Sequence, residues 1–315
     1  MAEGYMYKLI EMKEKVREFI MKEVYIVLGA RGYIGRKFVS YLQSQKKHVE
    51  ALSRNTVDYT DTRGFSEYLN YQRPRWSGQD IIVINCAGKT GKPNVDQCEF
   101  RKAETIRANI MLPAMLSEVC YRQKITFCHV SSGCIYYGTS KRIFTEEDKP
   151  NFTFDNKQHS FYSGTKALAE EYVLQNPNSY IWRIRMPFDE YDSRRNYLSK
   201  LITYEKTIDA TNSLTHIGDF IKCCHRMAEK KSPYGIYNMV NEGHITTREI
   251  CEMISDKLEI KKTFDFFSSH KEFRKIVAAP RSNCVVSVDK FNDLPGVPKM
   301  RPVTKALADA LDNWQ

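Results

Sequence analysis

At 315 residues, 42% of them hydrophobic and 27% charged, the chain has the composition of a folded globular protein with ample core, in one large or two smaller domains, which argues against disorder. No apolar run reaches membrane-span length or forms a secretory leader, and nine cysteines without a C-x-x-C pair argue against a disulfide framework or a metal site and for a reducing, cytoplasmic setting. The net charge of +10 favours polyanionic ligands, but with no basic run interleaved with aromatics it gives no reason to expect nucleic acid.

Residues 1–22 carry a rough helical period through Leu9, Ile10, Val16, Phe19 and Ile20. They read as a short helical extension or as a leader without fixed structure. Val24 to Leu28 is a continuous apolar run, as expected of a central parallel strand. It leads into Gly29-Ala30-Arg31-Gly32-Tyr33-Ile34-Gly35 and a helix from about Arg36 to Gln45. Glycines at this spacing let the backbone turn tightly and approach a pyrophosphate at the helix N-terminus. His48 to Leu52 reads as the second strand, ending at Ser53-Arg54 with no Asp or Glu. An acidic residue there would bind ribose hydroxyls. Arg54 and Arg31 instead suit a 2′-phosphate, so NADPH is expected in preference to NADH. Asp58 is placed near the adenine.

Ile81 to Ala87-Gly88 is a buried strand whose small final residues leave room for the nicotinamide half of a dinucleotide. A helix over about Glu104–Arg122 follows. The strand Ile125–Val130 then delivers Ser131-Ser132-Gly133-Cys134 at its C-terminal end, where ligands gather in open α/β sheets. Next come a helix from Phe161 to about Gln175, with Tyr162 and Lys166, and a strand over Tyr180–Arg185. This alternation predicts an α/β fold, a Rossmann-type doubly wound parallel sheet over residues 23–187. Residues 188–315 are expected to form mainly a smaller C-terminal substrate domain, with return segments to the first. In it we expect helices near Asp219–Glu229, Thr247–Leu258 and Leu307–Trp314, a short strand over Tyr234–Val240, and a rigid polar loop at Pro280-Arg281-Ser282-Asn283.

Tyr162 and Lys166 are i and i+4 on one helix face, and a neighbouring ammonium favours the phenolate and should lower the tyrosine pKa. Such a tyrosine can protonate a carbonyl oxygen as hydride arrives at the carbon, with Ser132 hydrogen-bonded to the same oxygen. Cys134 adds a thiol able to exchange protons on the carbon beside a ketone. Among 19 tyrosines a Tyr-x-x-x-Lys is a weak signal alone. The glycine-rich turn upstream gives it weight.

With these motifs in place, residues 23–314 resemble the extended short-chain dehydrogenase/reductase family. Within it they are most similar to the nucleotide-sugar branch that carries out 3,5-epimerisation and 4-reduction of UDP-4-keto-6-deoxy-glucose, giving UDP-L-rhamnose. The residues carrying the narrower match are Gly88 to Glu99, Gly133-Cys134-Ile135, Arg185-Met186-Pro187, Asn196 to Lys200, Tyr204-Glu205-Lys206, Gly235 to Asn238 and Ala279 to Asn283. The resemblance implies reductase roles for Ser132, Tyr162 and Lys166, and an epimerase acid/base pair of Cys134 and Lys200 on opposite faces of the sugar. It also implies substrate contacts from Thr90, Asn94, Arg185, Asn196, Arg281 and Asn283, with Asn94, Asp96 and Glu99 shaping their loop rather than reacting. His159 and His216 are expected to be structural. Relatives dimerise through paired helices, here those bearing Tyr162 and following Asp96, so a homodimer is expected. Lys89 stands where relatives tend to have a small apolar residue, and Ser132 where the plant enzymes have Thr. Two alternatives stay open: a nucleotide-sugar 4-reductase without epimerase activity, and a non-catalytic NADP-binding subunit similar to the β subunit of methionine adenosyltransferase.

Overall fold

The computed structural model describes residues 22–138 and 142–315, so the expected N-terminal extension lies, but for Lys22, outside the described residues. Six strands form one parallel sheet: β1 (Glu23–Leu28), β2 (His48–Leu52), β3 (Asp80–Asn85), β4 (Thr126–Ser132), β5 (Ser179–Ile184) and β6 (Gly235–Asn238). Their order across the sheet is β6-β5-β4-β3-β1-β2, every neighbour parallel. This is the doubly wound sheet expected from the alternation of elements. The order reverses at β1, and Leu28 pairs with both Leu52 and Asn85. The ends of these three strands are therefore level, and a crevice opens above them.

The apolar run of β1 follows from burial on two faces. Tyr25 and Val27 pack in one core with Phe38, Leu42, Trp182, Phe220 and Met227. Val24, Ile26 and Leu28 pack in another with Phe65, Leu69, Leu116 and Phe127. Helices α1 (Tyr33–Ser44) and α6 (Ile217–Glu229) cover the first face, α2 (Thr62–Gln72) and α3 (Leu112–Arg122) the second. Helix α4 (Phe161–Val173) starts at the cap Ser160, whose hydroxyl accepts from Ser163 N–H at 3.0 Å. A third core, with Phe188, Leu198, Leu201, Ile250, Ile254, Leu307 and Leu311, joins α5 (Tyr197–Thr203), α7 (Thr247–Leu258) and α8 (Val303–Asp312). The chain passes into this lobe through Met186, whose φ of 38° is unusual for a residue with a side chain. It returns to the sheet with α6 and β6.

Several elements differ from expectation. The helix expected over Glu104–Arg122 is interrupted by a wider turn at Arg107–Met111. Pro113 has no N–H to give the carbonyl four residues back, and the π-turn absorbs that gap. Helix α8 starts at Val303, four residues before the expected Leu307. Helix α5 was not foreseen at all, and it carries Lys200.

Candidate active site

Strand β4 ends at Ser132, whose hydroxyl accepts from Cys134 N–H at 3.2 Å. Helix α4 lays Tyr162 beside it, near enough for the Ser132 hydroxyl to act on the phenol. Glu99 fixes the start of α4 by accepting from Phe161 N–H at 2.7 Å. Buried Glu170, two turns after Tyr162, is gripped by Arg183 of β5 and by Ser131 of β4, which ties the catalytic helix to the sheet. The expected lowering of the Tyr162 pKa is not what the structure gives. Desolvation raises it, Cys134 adds to the rise, and the Ser132 hydroxyl and Arg195 only oppose it. The Lys166 amine is turned to His129 Nε2 and to the Val130 carbonyl, both at 3.0 Å. Burial pushes Lys166 down to about 8, against the pull of Glu170.

The crevice above β1, β2 and β3 has a volume of ≈ 910 Å³ and is lined by Gly29, Arg31, Gly32, Arg54, Ala87 and Gly88, among others. Gly29 has φ +72°, and a Cβ there would lie 2.8 Å from Ala87 N. A Cβ on Gly35 would lie 2.3 Å from Gly29 O, so α1 can approach β1 this closely only without side chains. Exposed Arg31 and Arg54 flank the crevice, which fits a 2′-phosphate. Tyr33 and Ile34 turn the other way. The Tyr33 hydroxyl is buried towards Asp189, and Ile34 packs on the core, so only their backbone faces the ligand side. Asp58 is engaged with Thr60, accepting from its N–H at 3.1 Å, and Tyr59 and Thr60 line the crevice instead.

A second hollow of ≈ 390 Å³ adjoins the crevice, lined by Thr90, Lys92, Gln97, Arg101 and Arg195 with Gly88 and Lys89 shared at its edge. Arg195 donates to Thr90 Oγ1 at 2.6 Å and acts electrostatically on both Tyr162 and Lys200. It thus links residues that come from three separate segments. In the sequence it is one of two adjacent arginines, Arg194-Arg195, in an irregular polar stretch, and no local pattern marks it. Lys200 is lowered by burial, then by Arg195 and Arg281. Among the described residues no carboxylate pairs with it. Arg281 is held in place by Asp96 at 2.7 Å, and Asp96 also accepts from Ala279 N–H. Buried Asn109, also missed, ties the Lys89 backbone to Thr165 of α4.

Of the expected substrate residues, Asn196 and Arg185 are buried behind the wall, while Asn94 and Asn283 are half-buried and engaged within their own loops. Asn196 is fully buried and caps α5, accepting from Leu198 N–H at 3.0 Å and donating to Asp189 and Tyr191. Arg185 is 1% exposed and spends its donors on Gly133 O, Ser282 and Asn212, with Cys134 Sγ 3.9 Å away. Asn94 accepts from Asp96 N–H at 2.9 Å, and Asn283 from Asn212 Nδ2 at 3.3 Å. Each shapes the loop it stands in. His216 is bonded to Asp219 and Glu190, and His159 to the Asn156 carbonyl. All nine cysteines are unpaired, and among the described residues no group of His, Cys, Asp and Glu could hold a metal. No described helix is long and apolar enough to cross a membrane.

Residues 22–315 match the model of the family described as the RmlD substrate binding domain. The chain belongs to that family. A bifunctional dTDP-4-dehydrorhamnose 3,5-epimerase/dTDP-4-dehydrorhamnose reductase of Arabidopsis thaliana is 38% identical to this RmlD-family chain over 216 residues, 66% of the chain and 69% of the relative. A trifunctional UDP-glucose 4,6-dehydratase/UDP-4-keto-6-deoxy-D-glucose 3,5-epimerase/UDP-4-keto-L-rhamnose-reductase of the same plant is 36% identical over 216 residues. The match is 66% of the chain but 31% of that longer protein. The crystal structure of the L780 UDP-rhamnose synthase from Acanthamoeba polyphaga mimivirus superposes with a TM-score of 0.81 at 25% identity, covering 92% of this chain and 99% of that one.

Proposed function

We propose that this RmlD-family chain is an NADPH-dependent nucleotide-sugar enzyme that reduces the C4 ketone of a 4-keto-6-deoxy sugar, and that it first inverts C3 and C5 of UDP-4-keto-6-deoxy-glucose, giving UDP-L-rhamnose. The reductase half is the activity its relatives have in common. The observation that carries the whole reading is the cluster at the end of β4: the Ser132 hydroxyl and the Cys134 thiol are both near enough to act on the Tyr162 hydroxyl.

The C4 oxygen would sit against both hydroxyls. They stabilise negative charge there as the C3 or C5 proton leaves, which is what an enolate needs. Inversion requires a group on each face of the sugar, the roles given to Cys134 and Lys200. A lysine with a depressed pKa and no carboxylate partner is suited to proton exchange near neutrality. Bound NADPH supplies hydride to C4. Tyr162, held protonated by its buried setting, then gives its proton to the C4 oxygen. Gly29, Gly32 and Gly35 shape the dinucleotide cradle, and Arg31 and Arg54 receive the 2′-phosphate. Thr90, Arg195 and Arg281 face the diphosphate side of the substrate. Buried Arg185 and Asn196 support the cleft from behind, and Asn94 and Asn283 shape its loops.

NADPH oxidation with UDP-4-keto-6-deoxy-glucose tests the reductase step. Replacing Tyr162 by Phe should lower kcat at least 100-fold, with NADPH affinity within threefold of the wild type, since general acid catalysis contributes about 10²–10⁴-fold. A Tyr162→Phe protein of undiminished rate would remove the proposed acid.

A further inference from the structure

Helix α1 opens the dinucleotide cradle, α5 carries Lys200, and one buried carboxylate stands between them. Asp189 is 1% exposed. Lys37 of α1 places its Nζ 2.6 Å from Asp189 Oδ2, with the lysine side chain 19% exposed. The same ammonium lies over the Tyr191 ring, 4.3 Å from its centroid. Asp189 Oδ1 accepts from Tyr191 N–H and from Asn196 Nδ2, both at 3.1 Å. Asn196 Nδ2 also donates to Asp189 O at 2.7 Å and to Tyr191 O at 2.9 Å, while Asn196 Oδ1 caps α5. Lys200 N–H donates to Asn196 O at 3.2 Å. An unbroken line of contacts therefore runs from the cofactor helix to the backbone of Lys200.

Little secondary structure holds this segment. Residues 189–196 contain no helix or strand. Helix α5 has seven residues, too few to hold its shape without anchors. Leu198 and Leu201 anchor it in the core of its own lobe. Towards the sheet the segment is tied by Arg195 to Thr90, by Glu190 to His216 and by Asp189 to Lys37, and Asp189 is the most deeply buried of these groups. Removing one partner of a buried pair leaves an uncompensated charge, which is strongly destabilising. Among the described residues Lys37 is the one cation paired with Asp189. Without it the carboxylate gains by turning to water, and Asn196 is bonded to that carboxylate.

We propose that Lys37 and Asp189 are positioning residues for proton exchange at the sugar: their ion pair locks the start of α5 to the dinucleotide-binding helix and so sets where Lys200 stands. The inference rests on the proposed function, in which Lys200 serves one face of the sugar. It divides the two half-reactions. Ser132 and Tyr162 come from β4 and α4, which Ser131, Glu170 and Arg183 tie together within the sheet lobe. The rate constant of reduction therefore does not depend on the pair. Arg195 precedes the cap on the same segment, so loss of the pair should raise KM in both half-reactions and lower the rate constant of exchange alone.

Deuterium uptake at C3 and C5 of UDP-4-keto-6-deoxy-glucose in deuterated water with NADP⁺ reads exchange without hydride transfer. NADPH oxidation with the already inverted 4-keto sugar reads reduction. In Lys37→Met the saturated exchange rate at one carbon should fall at least about tenfold, since misplacing a reacting group by about 1 Å can cost about 10²-fold. The kcat of reduction should stay within about threefold of wild type, and Lys37→Arg should bring exchange back to within about threefold. Asp189→Asn removes the charge but keeps an oxygen for Tyr191 and Asn196. It should lose exchange as Lys37→Met does, which keeps the claim testable if Lys37→Met does not fold. In a folded variant, exchange and reduction rate constants that fall together, or a lowered melting temperature with exchange intact, overturn the proposal. Lys200→Met separates this failure from that of the underlying reading. If it loses exchange at one carbon while Lys37→Met and Asp189→Asn keep it, the ion pair positions nothing. If Lys200→Met keeps exchange at both carbons, Lys200 is not the exchanging group and both readings fall.

Discussion

Gly35→Ala is the sharpest perturbation of the dinucleotide cradle. The added methyl would lie 2.3 Å from Gly29 O, 2.9 Å from Gly29 C and 3.1 Å from Ala30 Cα. All three are backbone atoms, so no rotamer change relieves the contact. Either α1 backs away from β1 or the glycine turn shifts by about 1 Å, taking the contact to ordinary van der Waals distance. Overpacking of this kind costs about 1–3 kcal/mol. If the strain falls on the bound form, NADPH affinity drops by about 5- to 150-fold, at about 1.4 kcal/mol per tenfold. If it falls on the fold, the melting temperature drops by about 2–8 °C. Calorimetric titration with NADPH and a thermal melt read the two. Gly32→Ala is the control, because its Cβ would meet only Gly29 O, at 3.1 Å, and it should lose less than tenfold in affinity. A Gly35→Ala protein with affinity within twofold of wild type and an unchanged melt would refute this account of the turn.

Arg185→Met strips the partners from Gly133 O, Ser282 and Asn212 in a buried setting, so urea denaturation should show a loss of about 3 kcal/mol or more, since each buried group left without a partner costs at least about 1 kcal/mol. His216 gives a stability signature with a definite sign. Burial opposes its charge, but the Asp219 and Glu190 carboxylates, each 3.5 Å from a ring nitrogen, win and raise it to about 8. That stabilisation is full below the unfolded pKa of 6.5 and is lost as pH rises through about 8, so the melting temperature should fall over this window by an amount equivalent to about 1–2 kcal/mol. His216→Gln should flatten this part of the profile. Lys200→Met removes a charge that the fold disfavours. It should raise the melting temperature at pH 7 while removing inversion at one carbon, read by the same melt and by NMR of the product.

What could be read from the sequence followed physical rules that act locally. The strand run Val24–Leu28 is apolar throughout because both of its faces are covered, and that pattern is visible without coordinates. The start of α1 is less so. Gly32 offers no side-chain cap, and the helix begins at Tyr33 rather than Arg36. Helix α5 is seven residues long, too short for a periodic signal, although its cap Asn196 was noticed and assigned to substrate. Arg185 shows the limit most clearly. A charged residue in a sugar-enzyme segment invites a substrate contact, and only the fold brings Gly133, Asn212 and Ser282 around its guanidinium. The same holds for Lys166. The i, i+4 spacing put it beside Tyr162, but β3–β4 pairing places His129 at its amine, and burial then reverses the expected effect on the tyrosine. Arg195 escaped because its partners Thr90, Tyr162 and Lys200 lie far apart in the chain.

The central claim, that one site both inverts and reduces, is tested most directly by product mass spectrometry and NMR after turnover of UDP-4-keto-6-deoxy-glucose with NADPH in deuterated water, on the wild type and on Cys134→Ala. The wild type should give UDP-L-rhamnose with deuterium at C3 and C5, and Cys134→Ala should lose inversion while it still oxidises NADPH. NADPH oxidation by the wild type without deuterium at either carbon would contradict the claim and leave a plain 4-keto reductase.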